Sequence, residues 1–451
     1  MSEDNLSMSE ENLSRRDIVM RYFDEQREEN EKIVREGIEK YRKGNCTVEV
    51  ISDGKAPERI AVEAEQTSHA FKFGANLFML DEFEDEWKND IYKEKFSSLF
   101  NLATLPFYWD ATEPQRGVYR FDKDSPRMYR RPPIDLCLEY CEAHGIEPKL
   151  HCLNYDTLIP DWAQKLSVPE MKEALTERFR VISERYAGRI PSMEVTNETL
   201  QMWHKSPFFM EDDFVEWSFE QADKFFPNNK LIINDYNVWD PAAHTRNYYY
   251  MQIDRLLRSI THLDSIGLQF HCFFPEEAEI KQREQKFNPR RLRELYDLFS
   301  RLGKKIQITE MTIPARSVSP KDEELQAELT TELYKVMFSH PSMEAIIYWN
   351  LVDGYGYMPN GGEPGDMTKG ENIYYGAMLR FDMTEKPVYR ALYDLINKQW
   401  HTSEKIVSHG GAATFRGFYG DYDIKVYADG KVVPAKVSLR ETGENKIRIK
   451  I

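Results

Sequence analysis

The sequence predicts a (β/α)8 barrel, the TIM-barrel fold, with a small β-rich appendage. Eight apolar, strand-like runs follow one another at intervals of roughly 30 to 47 residues, and the segments between them carry helical patterns. The runs are almost continuously apolar, which is typical of parallel strands that are buried on both faces. The 451 residues suffice for a barrel of about 250 to 400 residues with small additions.

The eight runs define the predicted strands. They are AFKFGANL from Ala70, NLATLPFYW from Asn101, PKLHCLNY from Pro148, SMEVTNE from Ser192, LIINDYN from Leu231, SIGLQFH from Ser265, IQITEMT from Ile306 and AIIYWNLV from Ala345. A doubly wound open sheet is the structural alternative. No G-x-G-x-x-G motif follows the first run, which favours the barrel.

The clearest helix between the runs begins after Ser167. Glu170 lies three residues further on, and the two residues form the pattern of a capping box. Apolar residues then recur at helical spacing, at Met171, Leu175, Phe179, Ile182 and Tyr186. Gly188 marks the expected end of this helix.

Both ends of the chain carry patterns that do not belong to the barrel. We predict a helical segment over residues 1–44, a β-hairpin over 45–69, the barrel over 70–400 and a β-rich module over 401–451. Asp53-Gly54 and Asp429-Gly430 are the turn signals of the hairpin and the module. The two could pair into one sandwich. The module is either a sugar-binding unit or a packing cap, and its lack of Trp favours the cap.

Composition narrows the class of ligand. A formal net charge of -16 argues against nucleic acid or an anionic membrane as partner, since phosphates demand a basic face. A small neutral or cationic substrate fits better, and 25 Tyr, 25 Phe and 8 Trp suit a sugar or another ring-shaped ligand. The five cysteines include no C-x-x-C pair, so neither a zinc site nor a disulfide framework is indicated.

The start of the chain bears on localisation. The first seventeen residues are polar and acidic, without the apolar stretch of a signal peptide, and no run has the length of a membrane span. We therefore expect a cytoplasmic protein. Secretion is the alternative if a leader has been removed from the chain.

Two carboxylates occupy strand ends that a barrel would bring to one rim. Glu198 follows the fourth run and Glu310 lies at the corresponding level of the seventh. Active sites of such barrels lie at the carboxyl ends of the strands, and two carboxylates across one bowl are the minimum equipment for cleaving a glycosidic bond. Strand-terminal Glu residues also occur as ordinary solvent-facing ends. Here other strand ends are polar as well, at His151, Asn234 to Asn237, Gln269, His271, Trp349 and Asp353.

These strand ends together resemble the retaining glycoside hydrolases of family 10, whose typical member is an endo-β-1,4-xylanase. The similar motifs are YWDATEPQRGVYRFD from Tyr108, HCLNYDTLIPDW from His151, VTNE from Val195, NDYN from Asn234, QFH from Gln269 and ITE from Ile308. The resemblance covers about residues 71–400 and is ordered along all eight predicted strands.

The resemblance implies a role for each matching residue. Glu198 would be the general acid/base and Glu310 the nucleophile of a double displacement, with carboxyl groups about 5 to 5.5 Å apart. Asn197 would bond the sugar 2-hydroxyl, and His271 and Gln269 would orient the nucleophile or the substrate. His151 would meet the sugar where cleavage begins, with Trp349 as its floor. The further expected substrate-binding residues are Tyr108, Trp109, Tyr155, Tyr236, Asn237 and Tyr357.

The departures from the family pattern concern substrate recognition. Leu105 and Tyr108 stand where the family carries an Asn and a Lys, which favours a less polar ligand on that side. Further replacements are Tyr155-Asp156 for Trp-His, Leu158 for Gln, Thr312 for Asp and Tyr357 for a second Trp. A Gly-rich run follows the eighth strand, as mobile surface or as a lid.

The resulting hypothesis is a retaining β-glycosidase of xylanase type that acts on an oligosaccharide or glycoside without metal or organic cofactor. An exo-acting or aglycone-specific glycosidase is one alternative. A carbohydrate-binding pseudoenzyme is another, although both catalytic carboxylates are kept. Neither nucleic acid nor a membrane is an expected partner, and the oligomeric state stays open.

Overall fold

Eight parallel strands close into a barrel at the centre of the protein. The computed structural model describes residues 13–201, 205–236, 238–239, 244–359 and 361–451. The barrel strands are β3 (Lys72–Asn76), β4 (Leu102–Pro106), β5 (Glu147–His151), β6 (Ser192–Asn197), β7 (Lys230–Asp235), β8 (Ser265–His271), β9 (Lys305–Thr312) and β10 (Met343–Tyr348). Each strand pairs with the next along the chain, and β10 pairs with β3. The predicted (β/α)8 barrel is confirmed, strand by strand.

Helices connect the barrel strands and precede them. Those in the N-terminal segment are α1 (Arg15–Val19), α2 (Arg21–Glu25) and α3 (Arg27–Tyr41). Those of the barrel are α4 (Glu86–Leu99), α5 (Trp109–Thr112), α6 (Ile134–His144), α7 (Val168–Tyr186), α8 (Phe214–Phe225), α9 (Tyr248–Ser259), α10 (Glu279–Lys286), α11 (Pro289–Ser300), α12 (Pro320–Ser339) and α13 (Pro387–Asp394). Short 3-10 turns span Pro207–Met210, Glu276–Ala278 and Gly370–Tyr374, and a π-helical turn spans Leu395–Gln399. Among the described helices, none combines the length and apolar character that crossing a bilayer needs.

Helix α7 shows why the predicted helices form where they do. The carboxylate of Glu170 accepts hydrogen bonds from the backbone N–H of Ser167 at 2.9 Å and from its hydroxyl at 2.6 Å. This capping box satisfies donors that the first turn of a helix leaves unpaired. The predicted apolar stripe, from Met171 to Tyr186, is buried against the barrel. Local capping and one apolar face therefore fix both the start and the orientation of the helix.

The N-terminal segment packs onto the barrel through α3 and α12. At Gly37 of α3, a Cβ atom would lie 2.5 Å from the backbone oxygen of Ser339, so only glycine permits this approach. The buried guanidinium of Arg42 donates to the backbone oxygens of Phe338 at 2.5 Å, of His340, and of Met343 at 2.8 Å. Arg42 thereby satisfies carbonyl groups around the end of α12 that the helix itself leaves open.

Strands from both ends of the chain build a second, smaller core. One sheet has the order β12 (Ala412–Phe418), β1 (Lys43–Ile51) and β15 (Lys446–Lys450). The other has the order β11 (Ser403–His409), β2 (Arg59–His69), β13 (Gly420–Ala428) and β14 (Lys431–Leu439). Their buried faces share a core that includes Val48, Val62, Phe415, Tyr422 and Val426.

The turn between β1 and β2 differs from the predicted hairpin. Ser52 and Lys55 exchange backbone hydrogen bonds of 2.8 and 2.9 Å around Asp53-Gly54, so the turn forms. The strands that it joins then enter opposite sheets instead of pairing with each other. The physical reason is competition from the C-terminal strands. β11 and β13 pair antiparallel with the two edges of β2, and β12 pairs antiparallel with one edge of β1. The Asp429-Gly430 signal does produce a paired hairpin, with Ala428 opposite Lys431.

A buried polar stack lies inside the barrel below its carboxyl-terminal rim. Nζ of Lys149 on β5 lies 2.5 Å from Oε1 of Glu194 on β6, and both side chains are at most 1% exposed. The other oxygen of Glu194 bonds Nδ1 of His151. Burial alone would raise the pKa of Glu194, but Lys149 and His151 lower it overall. The stack is therefore a charged group whose members depend on one another.

Lys149→Met is expected to lower the free energy of unfolding by about 3 kcal/mol, because it leaves the Glu194 carboxylate in the barrel interior without its cation. Thermal unfolding followed by circular dichroism measures the loss. The matched control is Lys72→Met, which removes a half-exposed ion pair with Glu147 and should cost less than about 1 kcal/mol. Equal losses in the two variants would contradict the importance of the buried pair.

Candidate active site

A cavity of about 740 Å³ opens at the carboxyl-terminal rim of the barrel. This rim is where the loops after parallel strands converge, and hence where ligands bind in such folds. Eleven of the predicted site residues line it, namely Tyr108, His151, Tyr155, Asn197, Glu198, Tyr236, Gln269, His271, Glu310, Trp349 and Tyr357. Side chains from both halves of the barrel thus meet in one space.

Glu310 lies on β9 with both carboxylate oxygens bonded. Nδ2 of Asn234 donates to Oε1 at 2.8 Å, and Nε2 of His271 lies 3.0 Å from Oε2. The residue is 4% exposed. A carboxylate that accepts hydrogen bonds at both oxygens has its rotamer fixed.

Glu198 follows the last residue of β6 and has a different environment. The phenol of Tyr155 donates to its Oε2 at 2.7 Å, and Nε2 of Gln269 donates to its Oε1 at 3.1 Å. Burial raises the pKa of Glu198, and the nearby charge of Glu310 raises it further. The proton is therefore retained to higher pH than on an ordinary glutamate.

The backbone at Glu198 is itself unusual. Its φ of 56° lies in the left-handed region, which costs a residue with a Cβ atom about 1 to 2 kcal/mol. The backbone N–H of Glu198 donates to the backbone oxygen of Asn234 at 3.0 Å and holds this conformation. The chain turns here from the strand into the loop, and the turn directs the carboxyl group at the cavity. Strained backbone of this kind is found at functional sites.

Three side-chain amides connect the two glutamates. Oδ1 of Asn197 accepts from Nδ2 of Asn234 at 2.8 Å and from Nε2 of Gln269 at 3.2 Å. The same Asn234 nitrogen reaches Glu310, and the same Gln269 nitrogen reaches Glu198. The sequence marked Asn234 only as one polar strand end, because its position between the two carboxylates depends on the register of β6, β7 and β9.

Thr309 completes this network from beneath. Its hydroxyl donates to Oδ1 of Asn234 at 2.5 Å, so the amide of Asn234 is oriented with its nitrogen toward Glu310. Sequence reasoning missed Thr309, since a threonine within a strand carries no signal of its own. The fixed amide orientation means that the donors at this site need no reorganisation when charge changes on the glutamates.

His271 lies between Glu310 and Thr312, the residue that stands where the family pattern has an Asp. Nδ1 of His271 lies 2.9 Å from Oγ1 of Thr312, and Nε2 faces Glu310. A hydroxyl can donate as well as accept, so the neutral tautomer with its proton on Nε2 satisfies both contacts. An aspartate at the same place could only accept, which would demand a proton on Nδ1.

His151 connects the cavity with the buried stack. Its Nε2 lies 3.0 Å from the hydroxyl of Tyr108, and its Nδ1 bonds Glu194. Burial lowers the pKa of His151, but the charge of Glu194 more than offsets this, so the pKa is raised. Burial also raises the pKa of Tyr108 far above its ordinary value, which keeps the phenol neutral.

His151, Glu194 and Glu310 also form the one cluster of possible metal ligands within the described ranges. One ligand atom of each lies within 4.8 Å of the others. Each carboxylate already has polar partners, however, with Lys149 on Glu194 and Asn234 on Glu310. The hydrogen bonds and ion pairs of the chain itself therefore account for the cluster.

Trp349 forms an aromatic wall between the two histidines. Its ring centroid lies 5.6 Å from that of His151 and 5.6 Å from that of His271, with the planes near perpendicular in both pairs. Its Nε1 donates to Glu371 at 3.2 Å. Glu371 also accepts from the backbone N–H of Tyr357 at 2.9 Å, so one carboxylate ties the Gly-rich loop to the cavity wall.

Two arginines that the sequence analysis missed also line the cavity. Arg130 and Arg131 come from the irregular segment before α6, and the guanidinium carbon of Arg131 lies 4.2 Å from the ring centroid of Tyr108. These two cations argue against the less polar ligand expected on this side. Leu105 is buried in the core, while the cations arrive from a segment whose fold no local pattern predicts.

Two predicted site residues are not among those in the cavity. Trp109 packs edge-on against Trp162 with ring centroids 5.4 Å apart, and its Nε1 donates to Glu113 at 2.7 Å. It is buried in a separate apolar cluster with Ile159 and Phe208 and is not among the residues that line the cavity, so direct sugar binding by Trp109 is not supported. Asn237 falls outside the described residues.

Comparison with known proteins supplies the family. The model of glycosyl hydrolase family 10 matches residues 64–395. Endo-1,4-beta-xylanase 3 of Arabidopsis thaliana is 25% identical over 86% of this chain and 46% of its own length. The Anti-sigma-I factor RsgI6 of Acetivibrio thermocellus is 25% identical over 88% of this chain and 46% of its own length. The chain thus spans less than half the length of these two relatives.

Solved structures show the same fold. Native xylanase 10B of Thermotoga maritima superposes with a TM-score of 0.57 at 22% identity, over 73% of this chain and 96% of that one. Xylanase 10B of Thermotoga petrophila in complex with xylobiose gives the same TM-score at 22% identity, over 73% of this chain and 95% of that one. The family match extends over more than two thirds of the chain and includes every barrel strand. The chain belongs to glycosyl hydrolase family 10.

Proposed function

We propose that this protein is a retaining glycoside hydrolase that cleaves β-linked xylo-oligosaccharides. The observation that carries the proposal is the pair of carboxylates in one cavity, joined by shared amides but placed in different environments. Double displacement needs one carboxylate that attacks and one carboxylic acid that donates a proton. Glu310 suits the first role and Glu198 the second.

In the first step, an oxygen of ionised Glu310 forms a bond to the anomeric carbon as the glycosidic C–O bond breaks. Glu198 donates its proton to the departing oxygen, which leaves as a hydroxyl group. The raised pKa of Glu198, caused by burial and by the charge of Glu310, lets it keep this proton to higher pH than an ordinary glutamate. Asn234 and His271 keep Glu310 in position through contacts of 2.8 and 3.0 Å.

In the second step, water replaces the glycosyl bond to Glu310. Glu198, now ionised, takes a proton from the water while the water oxygen bonds to the anomeric carbon, and Glu310 leaves as a carboxylate. Both glutamates thereby return to their initial states. While Glu310 is bonded to the sugar it carries no charge, so it no longer favours the neutral form of Glu198. Tyr155 and Gln269 stabilise the negative charge of Glu198 by donating hydrogen bonds to it.

The remaining cavity residues suit a pyranose ring. Oδ1 of Asn197 is occupied by Asn234 and Gln269, which directs its Nδ2 to a ligand hydroxyl. Trp349 offers an apolar face, and Tyr108 and His151 offer polar atoms at its side. The xylanase names among the relatives and the xylobiose bound to one structural neighbour support xylose as the sugar.

Replacing the two glutamates separately is expected to distinguish their roles. Glu310→Gln should lower kcat on every β-xylobioside by about 1,000-fold or more, because no covalent bond to the enzyme can form. Glu198→Gln should lower kcat as strongly on substrates with a poor leaving group. With a dinitrophenyl leaving group, which needs no proton, it should leave the rate of the first step nearly unchanged. Pre-steady-state release of dinitrophenol measures that step.

The control for this pair is Glu173→Gln, a change of the same kind at an exposed site on α7. It should leave both substrates unaffected. Full activity in Glu310→Gln would contradict the mechanism. Tight binding of xylo-oligosaccharides by the unaltered protein with no product after long incubation would identify a binding protein instead of an enzyme.

Tyr155→Phe is expected to move the alkaline limb of the kcat/KM profile to higher pH. The phenol of Tyr155 donates to ionised Glu198 and so lowers its pKa, against the larger effects of burial and of Glu310. Without this donor the pKa of Glu198 rises further, and a general acid stays active up to its pKa. The pH dependence of aryl xylobioside hydrolysis measures the shift, with Tyr119→Phe, remote from the cavity, as control. A shift to lower pH would contradict the assignment of Glu198 as the acid.

A further inference from the structure

We propose that one end of the cavity binds a saccharide unit that carries a carboxylate, with Arg131 as the residue that recognises it. The inference rests on the proposed function, since it specifies the substrate of the same cavity. The ligand class that fits is a xylo-oligosaccharide bearing a hexuronic acid unit.

Arg131 lines the cavity without an acidic partner. Its guanidinium carbon lies 4.2 Å from the ring centroid of Tyr108 and 5.7 Å from that of Phe78, and its NH1 donates to the backbone oxygen of Arg130 at 2.9 Å. Among the residues that the structure describes, no carboxylate lies within 4.0 Å of its nitrogens. A cation that lies against two rings, with no carboxylate in direct contact, is suited to an anion that arrives with the ligand.

The neighbouring Arg130 shows what a structural arginine looks like here. Its NH2 lies 3.8 Å from Oε2 of Glu371, and its NH1 donates to Oδ1 of Asn350 at 3.0 Å and to the backbone oxygen of Tyr355. It is 3% exposed, whereas Arg131 is only half-buried. Glu371 therefore offsets the charge of Arg130 at close range, whereas Asp110 acts on Arg131 only at longer range, without an ion pair among the described residues.

Burial at the cavity wall also affects the cation itself. Desolvation lowers the pKa of Arg131, with Tyr108 and Asp110 acting in the opposite direction. The side chain is thus partly stripped of water while it stays charged, and a bound carboxylate would recover the lost solvation. The whole chain, with its net charge of -16, repels anions at long range. A local cation is then needed for an acidic sugar to bind at all.

The barrel order places Arg131 at a definite end of the site. Tyr108, on which it stacks, follows β4, the second strand of the barrel, and Lys286 follows β8, the sixth. These positions are opposite each other across the rim. Lys286 donates to the backbone oxygen of His271 at 2.5 Å and so has a fixed partner beside Glu310. The guanidinium of Arg131 donates only to the backbone oxygen of its neighbour Arg130 among the described residues, so it has donors left for a ligand on the other side of the rim.

The shape and charge of the Arg131 guanidinium favour a carboxylate as its ligand. A guanidinium matches the two oxygens of a carboxylate with two parallel hydrogen bonds. The single charge of one guanidinium matches a monoanion better than a phosphate ester, which carries nearly two negative charges. The rings of Tyr108 and Phe78 lie beside the guanidinium and offer apolar faces to the sugar ring that carries the carboxylate. A hexuronic acid combines these two features.

The test compares an acidic ligand with its neutral form in the absence of turnover. Isothermal titration uses Glu310→Gln with xylo-oligosaccharides that carry glucuronic acid on a terminal or an internal xylose, and with the methyl esters of the same compounds. We expect one acid to bind about tenfold more tightly than its ester, and this preference to shrink in 0.5 M NaCl. Arg131→Met in the same background should abolish the preference, and Arg131→Lys should keep part of it.

The matched control is Arg116→Met, in which an exposed arginine that lies 5.6 Å from the ring of Trp162 is changed in the same way. It should retain the preference. Equal affinities of acid and ester with the arginine in place, or a preference that survives in a folded Arg131→Met, would overturn the proposal, as would no binding of either acid. If Arg131→Met does not fold, the proposal is tested by the ratio of acid to ester affinities with Arg131 in place and by how much of that ratio Arg131→Lys keeps. Failure of the proposed function is distinct, because it appears as no hydrolysis of neutral xylo-oligosaccharides by the unaltered protein.

Discussion

A chain of three amides between two carboxylates is the interaction on which the site depends. Asn197 accepts from Asn234 and from Gln269, and these two donate onward to Glu310 and Glu198. An amide can donate and accept at once, so the chain holds both acids without itself taking a charge. Strands β6, β7, β8 and β9 must keep their register for these contacts to exist, since a slip of one residue turns each side chain to the other face.

The two acids that this network joins have different environments. Glu310 has donors on both oxygens inside the rim, while Glu198 lies at its edge in a strained conformation, under the influence of Glu310's charge. Below them, Lys149 and Glu194 fix His151, and through it Tyr108. Charged groups in the barrel interior thus orient polar ones in the wall of the cavity. Positioning of this kind, made before the ligand arrives, is what a preorganised site requires.

The sequence predicts the parts that follow from periodicity. Eight apolar runs and their spacing suffice for the barrel, and because parallel strands end on one rim, Glu198 and Glu310 could be placed in one cavity. Arg131 and Glu371 could not, since irregular segments carry them and only the packed structure shows where these lead. Trp109 was misplaced because a four-residue helix gives no pattern that fixes the direction of its side chain. The turn signal alone predicts β1 and β2 as partners, because local turn chemistry does not reveal competing strands about 350 residues away.

The most direct test is to trap the bond that the account places on Glu310. A 2-deoxy-2-fluoro-β-xylobioside with a dinitrophenyl leaving group lets the first step proceed and slows the second, because fluorine destabilises the positive charge that develops in both. Intact mass spectrometry should show the gain of one fluoroxylobiosyl group, and peptide mapping should locate it on Glu310. A label on Glu198 or another side chain, or no label while the parent xylobioside is hydrolysed, would contradict the account.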